Sequence, residues 1–450
     1  MSQAGAAVRS GSVPGVALAS LRPLRSRNYA LVWSAALVSN VGSWMQSVAL
    51  GVVVTARTHD PLWTGLVAAA AFIPAGLLAP VGGVLADRLD RRRWLMVTTV
   101  GEAAFATALA LLAARHAAPG AMVVTAFLGG VCAAVGFPAY QAMLPDLVPR
   151  EDLLAAVGLS SAQFNLGRVI GPALAGVVLV LSSAAWAFAV NAASFGAVVV
   201  ALALLRLPPR PRPEGPVEPV RARMAAGARV AMADPGCRAA IILIAVVALV
   251  GSPFIALVPA VSIEGLHRGA AGTSVLVTAQ GVGAVIGALS LATLARVLGR
   301  RSLLVRSLFA FPVALVCYGA APALAPAAAA IVVVGACYIG VLTGLNTVVQ
   351  LRAPAEARAR VLSLYMMALG TIYPIGALAE GALARALGIR VVTAGAGVVL
   401  VVVLAAIVRL RPALTAAFDD VPGDQAGAAL AAPEEPPVHE TPAAPAEARP

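Results

Sequence analysis

Long apolar runs recur along the whole chain, each separated from the next by a short cluster of arginine, proline or glycine. Only lipid can cover so many of them, because about 20 predominantly apolar residues are what one helix needs to cross bilayer hydrocarbon. The runs fall at about 29 to 56, 62 to 86, 94 to 114, 120 to 143, 155 to 181 and 184 to 205. A second series follows at about 238 to 262, 271 to 295, 303 to 321, 325 to 350, 361 to 386 and 390 to 408. Composition agrees, since 60% of the 450 residues are hydrophobic and 12% are charged, about half the charge of an ordinary soluble domain. A single soluble core and a single anchor helix are both excluded. The expected fold is an all-α membrane protein with 12 transmembrane helices in two six-helix pseudo-symmetric halves.

Between the two series, Arg206 to Asp234 mixes five arginines from Arg210 to Arg229 with six prolines from Pro208 to Pro219. Proline removes backbone donors, and an arginine at the bilayer midplane costs about 2.5 to 3.5 kcal/mol on insertion scales. This stretch is therefore a linker in water. The organisation that follows is an N-terminal arm over 1–28, a six-helix bundle over 29–205, a cytoplasmic linker over 206–237, a second bundle over 238–411 and a disordered tail over 412–450.

All 32 basic residues are arginine, and the net charge is +12. A nucleic-acid binder would gather such charge on one solvated face. Here the arginines punctuate apolar runs instead, which excludes nucleic acid as the partner. They crowd into alternate loops, at Arg22, Arg25 and Arg27, at Arg88 and Arg91 to Arg93, in the linker, at Arg296, Arg300 and Arg301, and at Arg352, Arg358 and Arg360. Opposite loops carry Arg57, Arg115, Arg268, Arg385 and Arg390. The positive-inside bias then places both termini and the linker in the cytoplasm, with the chain in the cytoplasmic (inner) membrane. The four cysteines show no metal-ligand spacing, and the four histidines fall in loops or the tail, so neither a metal site nor another cofactor is expected.

The halves also resemble each other. Asp87-Arg88-Leu89-Asp90-Arg91-Arg92-Arg93 follows the second run, and Ala295-Arg296-Val297-Leu298-Gly299-Arg300-Arg301 follows the eighth. Gln141 and Pro145 near the end of the fourth run match Gln350 and Pro354 near the end of the tenth, so the two offsets are 208 and 209 residues. A duplicated six-helix unit is the architecture of many secondary transporters, whose substrate site lies near the midplane between repeats.

Gly83-Val84-Leu85-Ala86-Asp87-Arg88-Leu89-Asp90-Arg91-Arg92 resembles the motif between the second and third helices of the major facilitator superfamily, with Asp90 where that pattern has Gly. The resemblance implies a cytoplasmic latch of Gly83, Asp87, Arg88, Arg91 and Arg92, in which Gly83 permits close helix contact and Asp87 faces the positive end of a neighbouring helix. Gly167-Arg168-Val169-Ile170-Gly171-Pro172-Ala173-Leu174-Ala175-Gly176 is similar to the antiporter motif of exporter branches, carried by Gly167, Gly171, Pro172 and Gly176. With Asn28-Tyr29, Trp44-Met45-Gln46, Pro145 to Glu151 and Asn165-Leu166, these residues resemble the enterobactin-exporter-like branch. In contrast to drug/proton antiporters, the fourth run bears no arginine.

Charges left inside the apolar runs are the candidates for coupling or substrate contact. Arg168 either meets a substrate or a coupling acid or forms a structural pair, with Glu102 the obvious acid. Glu102 is either a titrating group or a structural one, on a helix that in this fold supports the bundle from outside the cavity. Glu380 can snorkel or pair with Arg385. The first, fourth, seventh and tenth helices line the cavity in this family, which singles out Asn40, Gln46, Gln141 and Asn346, each equally able to form a plain interhelical hydrogen bond. No nucleotide-binding loop and no catalytic constellation occur. The expected function is secondary active export of a drug-like or siderophore-like small molecule by a monomer, driven by protons. An importer of the same fold and a non-transporting receptor or scaffold are the alternatives.

Overall fold

The computed structural model describes residues 21–205, 220–354, 357–410 and Phe418. The arm as far as residue 20, the proline-rich part of the linker and, Phe418 apart, the expected tail lie outside the described residues. Among the described residues, twelve helices are long and apolar enough to cross a membrane. They are α1 (Arg27–Thr58), α2 (Pro61–Arg88), α3 (Arg91–Ala114), α4 (Pro119–Leu147), α5 (Leu153–Leu181), α6 (Ala184–Leu204), α7 (Pro235–Gly265), α8 (Gly269–Leu298), α9 (Arg300–Ala320), α10 (Leu324–Arg352), α11 (Arg358–Leu387) and α12 (Ile389–Leu410). Helices are the expected solution, because lipid offers no partner to a backbone N–H or C=O.

Turn chemistry sets the helix ends. Asp60 caps α2 by accepting from the Leu62 amide at 3.0 Å, and Pro61 sits at the first helical position, where no amide partner is needed. Asp90 caps α3 through the Arg93 amide at 2.8 Å, which gives a local reason for an acid where the family pattern has Gly. In the second half the equivalent turn uses Gly299 at φ 79°, a left-handed conformation that favours glycine.

Packing repeats with the sequence. Helix α2 packs on α4 as α8 packs on α10, α3 on α6 as α9 on α12, and α3 on α4 as α9 on α10. The halves meet most extensively along α2 with α11 and α5 with α8, and α7 also packs against α1 and α2. Small residues let these helices close to backbone contact: a Cβ on Gly82 would lie 2.7 Å from the Val135 Cα, and one on Gly381 2.8 Å from the Pro61 carbonyl.

Two features depart from the sequence reading. The seventh span is not one regular helix, since wide π-turns at Val247–Gly251 and Val261–Gly265 flank a short α-helical stretch, Phe254–Ala260. Pro253 and Pro259 remove amide donors there, and Ser252 restores bonding by donating through its amide to the Val247 carbonyl at 2.7 Å. Inside the linker, Val220–Ala233 forms a helix of its own, and Gly227 brings it against Arg360 at the start of α11.

Glycine contacts give a direct test. A methyl on Gly283 would collide with the Val332 carbonyl, whereas one on Gly395 meets nothing within 4 Å. Gly283→Ala is expected to destabilise the purified protein by about 1 to 3 kcal/mol, and Gly395→Ala to be neutral or stabilising by up to about 1 kcal/mol, read as melting temperatures in detergent.

Candidate functional site

The molecule has two ends. One carries the start of α1 and the linker, and is called the linker end; the loops α1–α2, α3–α4 and α7–α8 lie at the far end. From the far end to the middle, the halves are joined by polar contacts. Arg385 on α11 donates through Nε to both carboxylate oxygens of Asp60 at 2.7 and 2.8 Å. His59 Nδ1 lies 3.0 Å from Glu264 Oε1 at the end of α7. Deeper, the Ser274 hydroxyl on α8 donates to the Pro172 carbonyl on α5 at 3.0 Å. Gly65, Gly76 and Gly381 bring α2 and α11 together along the same side. Hydrogen bonds from Arg385 outweigh burial and hold the Asp60 carboxyl below the usual carboxylate range.

Toward the linker end the interior opens. A cavity of about 860 Å³ is lined by α1, α3, α4, α5 and α6, with Met366 from α11 the contribution of the second half. A second cavity of about 250 Å³ lies deeper, between the halves, and takes residues from α1 to α8 and from α11. Ser43, Glu102, Ala133 and Phe195 line both, so the two spaces meet at those residues. Rings shape the deep cavity: Phe72 meets Tyr373 edge to face at 5.3 Å, and the Arg168 guanidinium sits 5.7 Å from the Trp44 ring centre. The outer cavity carries Phe137, stacked on Tyr140 at 6.4 Å.

A vestibule that leads to a chamber between two pseudo-symmetric halves is the geometry of a carrier. Solved structures agree on the fold. A bacterial homologue of the human lysosomal transporter Spinster, in an inward-facing and occupied conformation, superposes with TM-score 0.70 at 16% identity, covering 89% of this chain and 99% of that one. The nucleoside transporter NupG, as its D323A mutant, gives 0.69 at 13% identity, covering 85% and 100%. The family described as "Transmembrane secretion effector" matches residues 18–435. The chain belongs to this family, within the major facilitator superfamily. Among curated relatives, the enterobactin exporter EntS of Citrobacter koseri is 32% identical over 276 residues, covering 59% of this chain and 63% of that protein. The match thus spans less than two thirds of the exporter's length. The multidrug efflux pump Tap of Mycolicibacterium fortuitum is 26% identical over 371 residues, covering 80% of this chain and 90% of the pump. Family and relatives are transporters, which are not enzymes, and the twelve helices make this a multi-pass protein of the bacterial cell membrane.

For a transmembrane secretion effector, the motif after α2 is arranged unexpectedly. Gly83 makes no close helix contact: a Cβ there would meet nothing within 4 Å. Asp87 is 47% exposed and lies 3.9 Å from Arg91 of its own motif. Arg91 also lies 3.7 Å from Asp146 and donates to the Ala142 carbonyl at 2.8 Å, while Arg92 donates to the Leu202 and Ala203 carbonyls at 2.6 and 2.8 Å. These cations cap the ends of α4 and α6, where helix dipoles favour them. Arg88 is exposed.

The α5 motif is buried in contacts. Gly167 and Gly171 let α1 approach, with Asn40 Cβ at 2.9 Å and Trp44 Cβ at 2.6 Å from the positions a Cβ would take, whereas Gly176 faces Ser274 of the other half. Arg168 and Gln46 line the deep cavity, and Asn40 and Gln141 the outer one. Gln46 accepts from Asn191 at 2.9 Å.

Other expectations fail. Glu102 and Arg168 share the deep cavity without forming an ion pair, so a pair with Glu102, one of the alternatives open for Arg168, is absent in this conformation. Glu102 also sits on α3, a helix expected outside the cavity. Glu380 is buried, and Arg385 is taken by Asp60 instead. Asn346 accepts from Gln350 one turn away, and α10 contributes to neither cavity. Asp60, His59 and Glu264 were missed as a group; an Asp-Pro helix start was visible, but nothing in the sequence joins position 60 to 385.

The far-end pair has a defined pH dependence. A carboxyl held below its ordinary value contributes closure above that value and loses it as pH falls through the lowered one. Far-end closure is therefore expected to persist from neutral pH to below about 4. Asp60→Asn should lengthen distances between spin labels at Ala114 and Leu387 already at neutral pH, whereas unchanged distances would show the pair to be incidental.

Proposed function

We propose that this transmembrane secretion effector expels a small molecule from the cytoplasm by alternating access, in exchange for protons. The observation that carries the reading is the junction at Glu102, a carboxylate that lines both the vestibule and the chamber between the halves. The arginine-rich loops support a cytoplasmic linker end, and with it cytoplasmic termini. On that orientation the conformation described is open to the cytoplasm and closed outside by Asp60–Arg385, His59–Glu264 and the α2–α11 contact. The names of the relatives, an enterobactin exporter and a multidrug efflux pump, support outward traffic of a siderophore-like or drug-like solute.

In this reading the solute enters through the wide vestibule and settles in the deep chamber, where contacts with both halves favour closing the linker end. As the halves rock, Asp87 leaves Arg91 and finds a helix end across the gap, so the latch of Gly83, Asp87, Arg88, Arg91 and Arg92 forms while the far-end pairs part. The substituted chamber then faces outward. Glu102 takes a proton there and releases it to the cytoplasm on return, which makes each cycle dissipate the proton gradient. The α5 motif, Gly167, Gly171, Pro172 and Gly176, keeps α1 and α8 close to α5 and limits leakage during the swing. The chain acts as a monomer, since the chamber is complete within one copy.

Two variants test this. A carboxylate facing a helix N-terminus is worth about 0.3 to 2 kcal/mol, so Asp87→Asn should lower efflux about two- to thirtyfold at normal abundance. Glu102→Gln should abolish uphill, protonophore-sensitive efflux of an accumulated dye while retaining downhill exchange. Retention of uphill transport by that variant would remove Glu102 from coupling. Inside-out vesicles decide direction: accumulation driven by an inside-acid gradient is expected, and loss of solute under that gradient would favour import.

A further inference from the structure

We infer that the deep chamber contains an anion-binding site at the seam of the two halves, built from Arg168 of α5 and Gln280 of α8, and that the transported solute presents to it an acidic group borne on an aromatic ring. The inference rests on the reading of this chamber as the solute path, and it adds the chemical class of the solute.

Arg168 makes no ion pair or hydrogen bond with another described residue; its neighbour is the Trp44 ring, which lies against the guanidinium at 5.7 Å. A ring face satisfies the cation's quadrupole attraction but leaves its five N–H donors unused. Gln280 supplies a second unused donor. It is 2% exposed, it lines the same chamber, and its amide Nε2 is buried without a hydrogen-bond partner. The two residues belong to different halves yet are neighbours in space, because Gly281 lets α8 approach until a Cβ there would lie 3.3 Å from the Arg168 carbonyl.

A guanidinium and an amide N–H with one positive charge between them form a site for a carboxylate or phenolate, and a guanidinium fork fits such planar oxygen pairs well. The rest of the wall gives the remainder of the solute. Trp44, Phe72 and Tyr373 offer ring surfaces, and the chamber volume of about 250 Å³ suits one substituted aromatic ring at a time. A larger solute would lodge one such ring here and leave its bulk in the outer cavity of about 860 Å³.

The test uses purified protein in lipid nanodiscs, titrated with salicylate and naphthoate and with their uncharged amides, salicylamide and naphthamide. Tryptophan fluorescence and titration calorimetry report affinity. A charge-assisted contact predicts that each acid binds about tenfold or more tightly than its amide. Arg168→Gln should bring acid and amide to the same affinity, Arg168→Lys should keep part of the preference, and Gln280→Ala should weaken the acids about threefold. Equal affinity for acids and amides in the unaltered protein, or no binding of either acid, overturns the assignment. So does an Arg168→Gln protein of normal melting temperature that still prefers acids. If Arg168→Gln fails to fold, the acid–amide comparison and Arg168→Lys decide. Acids that bind through Arg168 but are never expelled would refute the export reading and leave the site standing; expulsion of uncharged solutes without any acid preference would refute the site alone.

Discussion

Close approach of two helix pairs, α2 with α11 and α5 with α8, is the contact on which the rest of the arrangement depends. Among the described residues these pairs make the most extensive contacts from one half to the other, and glycine makes each possible. At Gly65, Gly76, Gly176 and Gly381 a side chain would displace backbone or hydroxyl atoms of the opposite half. Lipid provides no hydrophobic drive for helices to associate, so van der Waals contact at small residues and a few hydrogen bonds must hold the halves together. Contact of that kind is dense yet featureless along the helix axis. It permits one half to roll on the other, whereas interlocked large side chains would fix one angle.

Where the rolling contact ends, polar groups decide which end is shut. At the far end Asp60, Arg385, His59 and Glu264 meet across the gap. At the linker end the corresponding charges turn inward on their own half: Arg91 on Asp146 and Asp87, and Arg352 on Asp234, which it reaches with Nε at 2.9 Å. Burial raises the Asp234 carboxyl, but the hydrogen bonds from Arg352 and the Cys237 amide prevail and hold it below the ordinary range. Pairs of this kind stiffen each half without tying the two together. The same chain thus separates charges that close an end from charges that brace a bundle.

The fold was legible because its cause is one-dimensional. Each crossing needs its own apolar run, and the run is written out residue by residue; the duplicated turns at 87 and 295 reveal the repeat without any structure. Asp90 shows the limit: in the sequence it was only a departure from a family pattern, whereas in the fold its carboxylate caps α3. Helix α7 shows another, since Pro253 and Pro259 stand in an apolar run that gives no hint of which carbonyls go unpaired or of the π-turns that absorb them. The site was harder to read because it is made by juxtaposition. Glu102 and Arg168 stand out as charges in apolar runs, and both reach the deep cavity. Their failure to pair, the exclusion of Asn346 and the capture of Arg385 by Asp60 depend on helix rotation and on which half a side chain faces, and small-residue helices carry almost no rotational signal.

Burial of charge follows the same logic to its end. A membrane protein under no functional constraint would pair Arg168 with Glu102, because an unpartnered charge in a low-dielectric interior is costly and a pair recovers part of that cost. Both residues line one chamber, and the chain nevertheless keeps them from pairing, placing an indole against the cation and leaving the carboxylate where the vestibule meets the chamber. Such an arrangement is stable only if water or a solute supplies what the protein withholds. An open vestibule supplies the first in the conformation described. On the exchange proposed above, closure of the linker end removes that water, so the closed chamber is favoured only when a solute at the cation or a proton on the carboxylate has replaced it. The unsatisfied charges would then act as a condition on that cycle, discouraging an empty chamber from closing and joining the movement of the helices to the presence of cargo.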